Sequence, residues 1–336
     1  MNNKKTSARP YTALRAIAAG LVASACTLAG SFNTAQAQNT WPTKPIRVVV
    51  PFGPGSFTDT AARTVGAELS KQLGQTVVVE NKGGAGSTLG TDVVAKSAPD
   101  GYTFLITDNS FAVSAALYKK LPYQPQSIVQ VSLLAEGPAV LVGRPNLPTK
   151  TLKETIAYAQ ANPGKMTFGS GGQGSSAHLA MEAFLMQNKA QMVHIPFKGI
   201  AAAMIDVAAD RVDIAIGSAG STSGYINDKR ILGLAVSGEK RNPKIPNVPT
   251  FAEAGFPNYK MMYRFGMMAP AGTSPAIMAR MQKEIAIAVA SPKVQSVFGS
   301  AGVIPVSSTS AAYAEQVKSE IQMWSDVIAR AKISTQ

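Results

Sequence analysis

Two short loops of the sequence combine glycine with hydroxyl side chains in a pattern that could bind an anion. The first loop, PFGPGSFT, follows an apolar run, Ile46–Val50, that predicts a buried strand, and a helical pattern comes next. The second loop, Gly169–Ser176, lies between a short apolar strand, Met166–Phe168, and a predicted helix, His178–Met186. A strand, a glycine loop and a helix start expose backbone N–H groups at the positive end of a helix dipole, where a carboxylate or a phosphate binds.

The recurrence of this unit is more informative than either loop alone, since each by itself is compatible with an ordinary strand-to-helix turn. Asp59 is the one charged side chain near these loops, so backbone amides and hydroxyls dominate both. Two such loops facing each other could hold one anion between two lobes. Ser87, Thr88 and Ser110 follow two further predicted strands, and the carboxyl ends of parallel strands meet at one edge of a sheet. We therefore expect these hydroxyls at the same cleft.

The alternation of strands and helices predicts an α/β protein, and two crossings of the chain predict two lobes hinged around a central cleft. Two predicted strands, Val131–Leu134 and Ala139–Val142, carry the chain out of the first lobe. We expect lobe 1 to comprise residues 38–138 and 264–336, and lobe 2 residues 139–263. Thr151 is the expected cap of the helix that follows, with Glu154 completing a capping box.

Residues 1–37 resemble a secretory signal peptide, with a basic start, an apolar run and an A-x-A cleavage site that ends at Ala37. A membrane anchor is the alternative, but the apolar run is shorter than the ~20 residues that span a bilayer. The single cysteine, Cys26, lies in this segment, and cleavage before it would make a lipoprotein; Ala23–Ala25 lack the large aliphatic residue usual there. We expect a periplasmic, monomeric protein of roughly 300 residues that begins at Gln38.

The charge balance favours an anionic ligand. The chain carries a formal net charge of +13 at pH 7, which attracts anions from solution. Nucleic acid is the competing partner, but the basic residues are scattered and no nucleic-acid-binding motif is present. We therefore expect a small-molecule ligand and no nucleic acid.

The patterns typical of enzymes are incomplete. The run GSGGQG at Gly169–Gly174 matches G-x-G-x-x-G, but the acid about 20 residues later that would hold a ribose is missing, and His194 stands near that point. The closest approach to a G-x-S-x-G elbow has Thr222 in place of the serine. His178 and His194 lie in a helix start and an apolar strand, which favours structural roles. We expect no catalytic residue, no metal and no cofactor.

A series of ordered motifs from about Trp41 to Trp324 resembles the TctC-like family of extracytoplasmic solute receptors, also called Bug proteins. The motifs are WPTKPIRVVVPFGPG, VVVENKGGAGSTLG, APDGYTFL, FGSGGQGSSAHLAMEAF, HIPFKG, RVDIAI, LAVSGEKR, IPNVPTFAEAGFP and APAGTSP. The resemblance implies a two-lobed periplasmic binding protein fold of the type II-like kind, with two mixed sheets flanked by helices. It also implies a protein that closes over a small carboxylate and delivers it to the membrane components of a tripartite tricarboxylate transporter. A sensor that passes its closed state to a signalling protein is an alternative that the sequence leaves open.

The resemblance also implies which residues hold the carboxylate through loop amides, hydroxyls and ordered waters. In the first lobe the positions that match are Gly53, Gly55, Ser56 and Phe57, with Ser87 and Thr88 beside them. In the second lobe they are Gly171, Gly172, Gly174 and Ser175, with Ser218 and Ser221 as weaker candidates.

Two departures from the family pattern suggest a ligand. Ser56 replaces a second glycine, Phe57 replaces a small residue, and Tyr263-Arg264-Phe265 stands where the family has an aromatic residue before a glycine. Phe57 could stack on an aromatic ring and Arg264 could bind a second carboxylate, which predicts an aromatic dicarboxylate of the terephthalate kind. The alternatives are that Phe57 packs within its own lobe, that Arg264 pairs with an acid, and that the ligand is an aliphatic di- or tricarboxylate or an amino acid.

Overall fold

The computed structural model describes residues 1–2, 41–331 and 333. The chain separates into two compact units, Met1–Thr43 and Lys44–Gln336, and every element named below lies in the second unit. The predicted signal peptide falls mainly on residues 3–40, which lie outside the described residues, and it stays a prediction. Among the described residues, no helix combines the length and the apolar character needed to cross a bilayer.

Strands and helices alternate along most of the second unit. The strands are β1 Ile46–Val50, β2 Val77–Asn81, β3 Thr103–Thr107, β4 Ile128–Gly143, β5 Thr167–Ser170, β6 Val193–Pro196, β7 Ile214–Ser218, β8 Leu232–Val236, β9 Met262–Pro270 and β10 Ile304–Pro305. The helices are α1 Phe57–Leu73, α2 Thr88–Ala95, α3 Ser110–Leu117, α4 Leu152–Ala161, α5 Ser176–Gln187, α6 Ile200–Ala208, α7 Ala219–Asn227, α8 Pro275–Ala290, α9 Pro292–Ser300 and α10 Ser310–Ala331.

The strands form two mixed sheets that share strand β4, in the order β2-β1-β3-β9-β4-β7-β5-β6. In the first sheet β1 pairs in parallel with β2 and β3, and β9 is antiparallel to both β3 and β4. In the second sheet β5 pairs in parallel with β6 and β7, while β7 and β8 are antiparallel to β4. The α/β class with mixed sheets and flanking helices is confirmed.

Strand β4 differs from its sequence prediction, because one strand of 16 residues replaces two short ones. Gly137 and Pro138, which commonly interrupt strands, stay in register with Tyr263 and Met262 of β9. After Pro138 the partners of β4 change from β9 to β7 and β8. The expected lobe boundaries stay a prediction, and a single strand passes from one sheet to the other.

Both sheets are covered by helices, which explains the apolar runs in the sequence. Val48, Val49 and Val50 of β1 are all buried, as a parallel strand with two covered faces requires. Leu105 of β3 and Met268 of β9 pack with Val49 in one apolar cluster. A second cluster, built around Val140, Val142, Met204, Val207, Ala215 and Val236, lies in the second sheet and the helices on it. The loops at the strand ends therefore extend from well-packed supports.

The helix starts follow the capping chemistry that the sequence indicates. The Thr151 hydroxyl accepts a hydrogen bond from the Glu154 N–H, and the Glu154 carboxylate accepts one from the Thr151 N–H, which confirms the predicted capping box. The hydroxyl groups of Ser56 and Ser175 cap α1 and α5 by accepting hydrogen bonds from the N–H groups of Asp59 and His178. Capping fixes the angle at which each glycine loop enters its helix.

We predict that Gly266→Ala destabilises the fold by about 1–3 kcal/mol, because a Cβ there would lie 2.4 Å from the Tyr313 ring, which is buried. Gly299→Ala is the matched control, since a Cβ at this helical position would meet nothing within 4 Å. The control substitution should stabilise by about 0.4–1 kcal/mol, because it reduces the freedom of the unfolded chain. Denaturant unfolding measures both, and equal effects would contradict the packing described for β9.

Candidate ligand-binding site

Five helices of the described chain begin beside one small cavity. Each follows a strand: α1 follows β1, α3 follows β3, α5 follows β5, α6 follows β6 and α7 follows β7. The cavity is lined from the first sheet's side by Ser56, Phe57, Thr58, Asp108 and Ser110. From the second sheet's side it is lined by Gly171, Ser175, Ser176, Ile200, Ser218 and Ser221. Helix starts carry free N–H groups and partial positive charge, so their convergence makes this place favourable for an anion.

The first loop is held by Asp59, which is buried behind it. Its carboxylate accepts hydrogen bonds from the Gly55 N–H at 3.2 Å and the Asn81 side chain at 2.9 Å, and it pairs with Arg63 at 3.0 Å. Burial raises the pKa of this carboxyl group, but the hydrogen bonds from Arg63, Asn81 and Gly55 outweigh burial and hold the pKa below its usual value. Asp59 therefore acts as an ionised brace for the loop.

The second loop is held by two stacked histidines. The ring centroids of His178 and His194 lie 4.0 Å apart. His178 Nδ1 accepts a hydrogen bond from the Gly174 N–H at 3.2 Å, and His194 Nε2 lies 2.6 Å from the Ser170 Oγ. Gly172 and Gly174 have φ values of 119° and 78°, which favour glycine. The two histidines thus hold the loop in place through the Gly174 N–H and the Ser170 hydroxyl.

Both histidines are neutral at pH 7. Burial lowers the pKa of His178 to about 4. Burial and the neighbouring His178 ring lower the pKa of His194 to about 3. A neutral ring can accept the Gly174 N–H, whereas a protonated one cannot. The arrangement fits the structural roles that the sequence favoured for these residues.

Helix starts from one sheet's side bond to serine hydroxyls from the other side. The Phe57 N–H, at the start of α1, donates to the Ser221 Oγ at 3.2 Å. The Ser176 N–H, at the start of α5, donates to the Ser110 Oγ at 3.0 Å. Away from these serines, the Gly53 N–H donates to the carbonyl oxygen of Lys198 at 3.1 Å. The two sides are therefore in direct contact around the cavity.

The cavity between these contacts measures about 20 Å³, which is enough for about one water molecule. A dicarboxylate needs more room than this, so its entry requires the two sides to move apart and the hydrogen bonds across the cleft to break. The acceptors in those bonds are hydroxyl oxygens. Carboxylate oxygens accept from N–H groups in the same geometry and more strongly, because they carry charge.

Seven of the expected site residues line this cavity: Ser56, Phe57, Ser110, Gly171, Ser175, Ser218 and Ser221. Gly53, Gly55, Gly172 and Gly174 lie in the same loops but shape the backbone instead of lining the space. Sequence reasoning omitted Asp108, Ser176, Tyr263 and Phe265, which also line it. Asp108 and Ser176 could have been found, since each stands next to an expected site residue at a helix start.

Ser87 and Thr88 are not among the residues that line the cavity, contrary to expectation. The Thr88 hydroxyl donates to the carbonyl oxygen of Ala85 at 2.9 Å, inside its own turn. The neighbouring Gly86 lies against the second loop so closely that a Cβ would be 2.2 Å from the carbonyl oxygen of Gln173. This turn therefore packs against the second loop, and neither of its hydroxyl side chains lines the cavity.

The Phe57 ring is engaged by other aromatic rings. It is 2% exposed and makes edge-on contacts with Phe265 and Phe298, with centroids 4.8 and 5.1 Å away. Gly220 of α7 lies over the ring, since a Cβ there would be 2.2 Å from its Cδ2. The ring therefore packs against side chains of the first sheet's side and against Gly220 of α7, and it lines the cavity as well.

Arg264 points away from the cavity, which corrects the expectation that its guanidinium lies in the site. Successive residues of a strand face opposite sides, and Tyr263 and Phe265 are the ones that face the cavity. Arg264 instead forms ion pairs with Glu136 and Glu320, each at 2.9 Å. The expectation for Arg264 took no account of this alternation of side chains along a strand.

These features define a solute-binding protein: an α/β fold in which loops from two sheets face one cleft. The model of the tripartite tricarboxylate transporter family receptor, TctC, matches residues 61–333, and the chain belongs to this family. BugT of Bordetella pertussis is 37% identical over 293 residues, which cover 86% of this chain and 90% of BugT. The family and its structural neighbours are solute-binding proteins, not enzymes.

Two solved structures show the likeness in three dimensions. The periplasmic binding protein BugD has a TM-score of 0.84 and 31% identity, covering 88% of this chain and all of its own. MatC from Rhodopseudomonas palustris, with bound malate, has a TM-score of 0.82 and 29% identity, covering 86% of this chain and all of its own. The expected fold and family are confirmed by these matches.

We predict that Gly220→Ala keeps the cleft from closing, because the added methyl group would meet the Phe57 ring. Small-angle X-ray scattering should show a larger radius of gyration for this variant than for the unmodified protein. Gly224→Ala, in the same helix, is the control, since a Cβ there would meet nothing within 4 Å. Identical scattering from both variants would show that the Phe57–Gly220 contact does not govern closure.

We predict that the protein loses stability as the pH falls from 7 to 5. The folded pKa values of His178 and His194 lie below the usual value of about 6.5, so in this window the unfolded chain takes up protons and the folded chain does not. Stability is therefore fully present above about pH 7 and is lost on acidification. Tm should fall by roughly 3–6 °C.

The chain has two histidines in all, so His178→Gln tests the assignment directly. The variant should lose less Tm between pH 7 and 5 than the unmodified protein. An equal loss in both proteins would assign the pH dependence to other groups.

Proposed function

We propose that this chain is an exported receptor that captures a small aliphatic carboxylate in the cleft and delivers it to the membrane components of a tripartite tricarboxylate-type transporter. The observation that carries the proposal is the pair of hydrogen bonds from helix starts to serine hydroxyls across the cavity. A carboxylate that replaced Ser110 and Ser221 as acceptor would satisfy N–H groups from both sides at once. Such bridging would favour the closed arrangement, as ligand-driven closure requires.

Hydrogen bonds from helix starts to a carboxylate are strong enough to give micromolar affinity. Micromolar binding corresponds to about 8 kcal/mol. Hydrogen bonds to a charged group contribute about 1.5–3 kcal/mol each, so four to six of them meet this after the losses of association. Helix starts from both sheets supply donors in that number, because each helix leaves its first N–H groups unbonded within the helix.

An aliphatic ligand is favoured over the terephthalate that the sequence suggested. The Phe57 ring is engaged with Phe265 and Phe298, and Arg264 is engaged with Glu136 and Glu320. The two groups invoked for an aromatic dicarboxylate therefore have other partners. The malate bound by MatC, a structural neighbour, supports an aliphatic acid. Terephthalate is kept as a comparison in the experiment.

Export rests on the sequence features of residues 1–37 and on the family. We propose cleavage after Ala37, which would release a periplasmic chain that begins at Gln38. Mass spectrometry of the protein recovered from the periplasm would report that N-terminus.

Calorimetry and thermal shift on the chain from Gln38 test the proposal with succinate, L-malate, citrate, benzoate and terephthalate. We expect at least one aliphatic acid to raise Tm and to bind with micromolar affinity, and the aromatic acids to bind more weakly. Ser110→Ala should weaken the aliphatic acid by about 10-fold or more, because the Ser110 hydroxyl, once the acid replaces it as acceptor of the Ser176 N–H, is free to donate to the bound carboxylate.

Ser114→Ala is the matched control for that variant, since Ser114 is also buried in α3 but does not line the cavity. It should bind like the unmodified protein. Tighter binding of terephthalate than of every aliphatic acid would overturn the choice of ligand. No binding by any of the five acids would contradict the carboxylate receptor itself.

A further inference from the structure

The cavity contains one carboxyl group, although a site that binds anions is expected to lack acidic side chains. Asp108 follows β3, lies two residues before α3 and lines the cavity, where it is 9% exposed. A carboxylate at this place repels the carboxylate of a bound solute. Given the proposed function, the site must accommodate this residue beside a bound carboxylate.

Asp108 accepts hydrogen bonds from neutral groups. Its Oδ1 accepts from the Ser110 N–H at 2.8 Å, and its Oδ2 accepts from the Ser176 hydroxyl at 3.3 Å. The Ser110 hydroxyl in turn lies 3.3 Å from the Ser176 hydroxyl, so Asp108 ends a short chain of hydroxyl groups. Two carboxylate oxygens offer about four acceptor positions, so Asp108 retains capacity for a further donor.

Among the described residues, no lysine, arginine or histidine forms an ion pair with Asp108. Arg264 lines a small neighbouring cavity together with Asp108, but it forms ion pairs with Glu136 and Glu320. Asp59, the other buried aspartate of the cavity region, provides the contrast, because Arg63 pairs with it at 3.0 Å. Of these two aspartates, Asp108 is therefore the one without a cationic partner among the described residues.

The other titratable groups around Asp108 do not compensate its charge. Glu320 and the phenols of Tyr263 and Tyr313 are its neighbours, and each is neutral or negative. Burial holds the pKa of Asp108 above its usual value, and the hydrogen bonds from Ser110 and Ser176 only partly oppose this rise. A plain dicarboxylate would have to bring a proton to this site or bind against repulsion.

We propose that Asp108 sets the specificity of the cleft, so that it selects carboxylates that present their own proton donor, a hydroxyl or an ammonium group, to this residue. The helix starts bind the carboxylate of such a solute, and Asp108 accepts from the donor on the neighbouring carbon. A solute with an ammonium group also supplies the missing cation. Solutes without a donor leave two like charges side by side in a buried space.

Succinate, L-malate and L-aspartate test the proposal, because they share one carbon skeleton and differ at C2 by hydrogen, hydroxyl and ammonium. With the unmodified protein, calorimetry at pH 7 should show malate or aspartate binding at least about 10-fold tighter than succinate. The comparison of malate with aspartate tells which donor the site prefers.

Asp108→Asn removes the charge and keeps the shape and the acceptor for the Ser110 N–H. It should reduce the preference over succinate to within about threefold while succinate binds equally well or better. Asp326→Asn is the control, since it removes one negative charge from an exposed position of α10 outside this cavity. It should retain the full preference.

Three outcomes would overturn the proposal. The first is a succinate affinity in the unmodified protein equal to that of both substituted acids. The second is uptake of about one proton on succinate binding, measured in buffers of different ionisation enthalpy. Asp108 would then be protonated and would itself donate a hydrogen bond to the solute. The third is an equal loss of all three ligands in Asp108→Asn. These outcomes leave the carboxylate receptor standing. No binding by any of the three acids would contradict the role of Asp108, and it would contradict the receptor as well only if citrate, benzoate and terephthalate also failed to bind.

Discussion

The organisation of this protein depends on the unpaired N–H groups at helix starts. An α-helix leaves its first N–H groups without internal partners, and five helices of the described chain place such groups at one cavity. Each must find an acceptor, because a buried unpaired donor costs free energy. Serine hydroxyls across the cleft supply two of these acceptors. The same requirement that holds the two sides together thus makes the cleft receptive to an acid.

The two glycine loops are held in place by different kinds of side chains, an ionised carboxylate at the first loop and two neutral histidines at the second. An ionised aspartate, Asp59, braces the first loop through Gly55, Asn81 and Arg63. A pair of neutral histidines braces the second through Gly174 and Ser170. Both supports form hydrogen bonds with backbone N–H or hydroxyl groups of the loops. Other residues of each loop line the cavity. Strand β4 joins the two sheets, so the loops are carried by one continuous framework.

Local sequence patterns sufficed to predict the fold class and most of the loops, because a strand, a glycine loop and a capped helix are encoded within about 20 residues. Ser56 and Ser175 were found in this way, and both are helix caps at the cavity. The predictions that the structure does not support concern side chains whose direction depends on tertiary geometry. Arg264 was assigned without regard to strand alternation, and Thr88 bonds within its own turn. Asp108 was overlooked because a carboxylate is not expected in a site for anions.

The partners of Phe57 and Arg264 lie far away in sequence, so no local pattern could reveal them. Phe57 packs against residues that follow it by more than 200 positions, and Arg264 bonds to Glu136, which precedes it by 128. These contacts exist only once β9 has returned to the first sheet. Once these partners are known, Phe57 and Arg264 no longer favour an aromatic dicarboxylate. The loops still favour a carboxylate, because their helix starts and hydroxyl groups are encoded locally.

The central claim is that helix starts from both sheets bind one carboxylate together. Backbone amide NMR during titration with an aliphatic acid that binds in calorimetry tests it most directly. The account predicts that the amide signals of Phe57 and Ser176, one from each side, shift together and saturate at the same concentration. Shifts confined to one side of the cleft, or centred on residues outside it, would contradict the account.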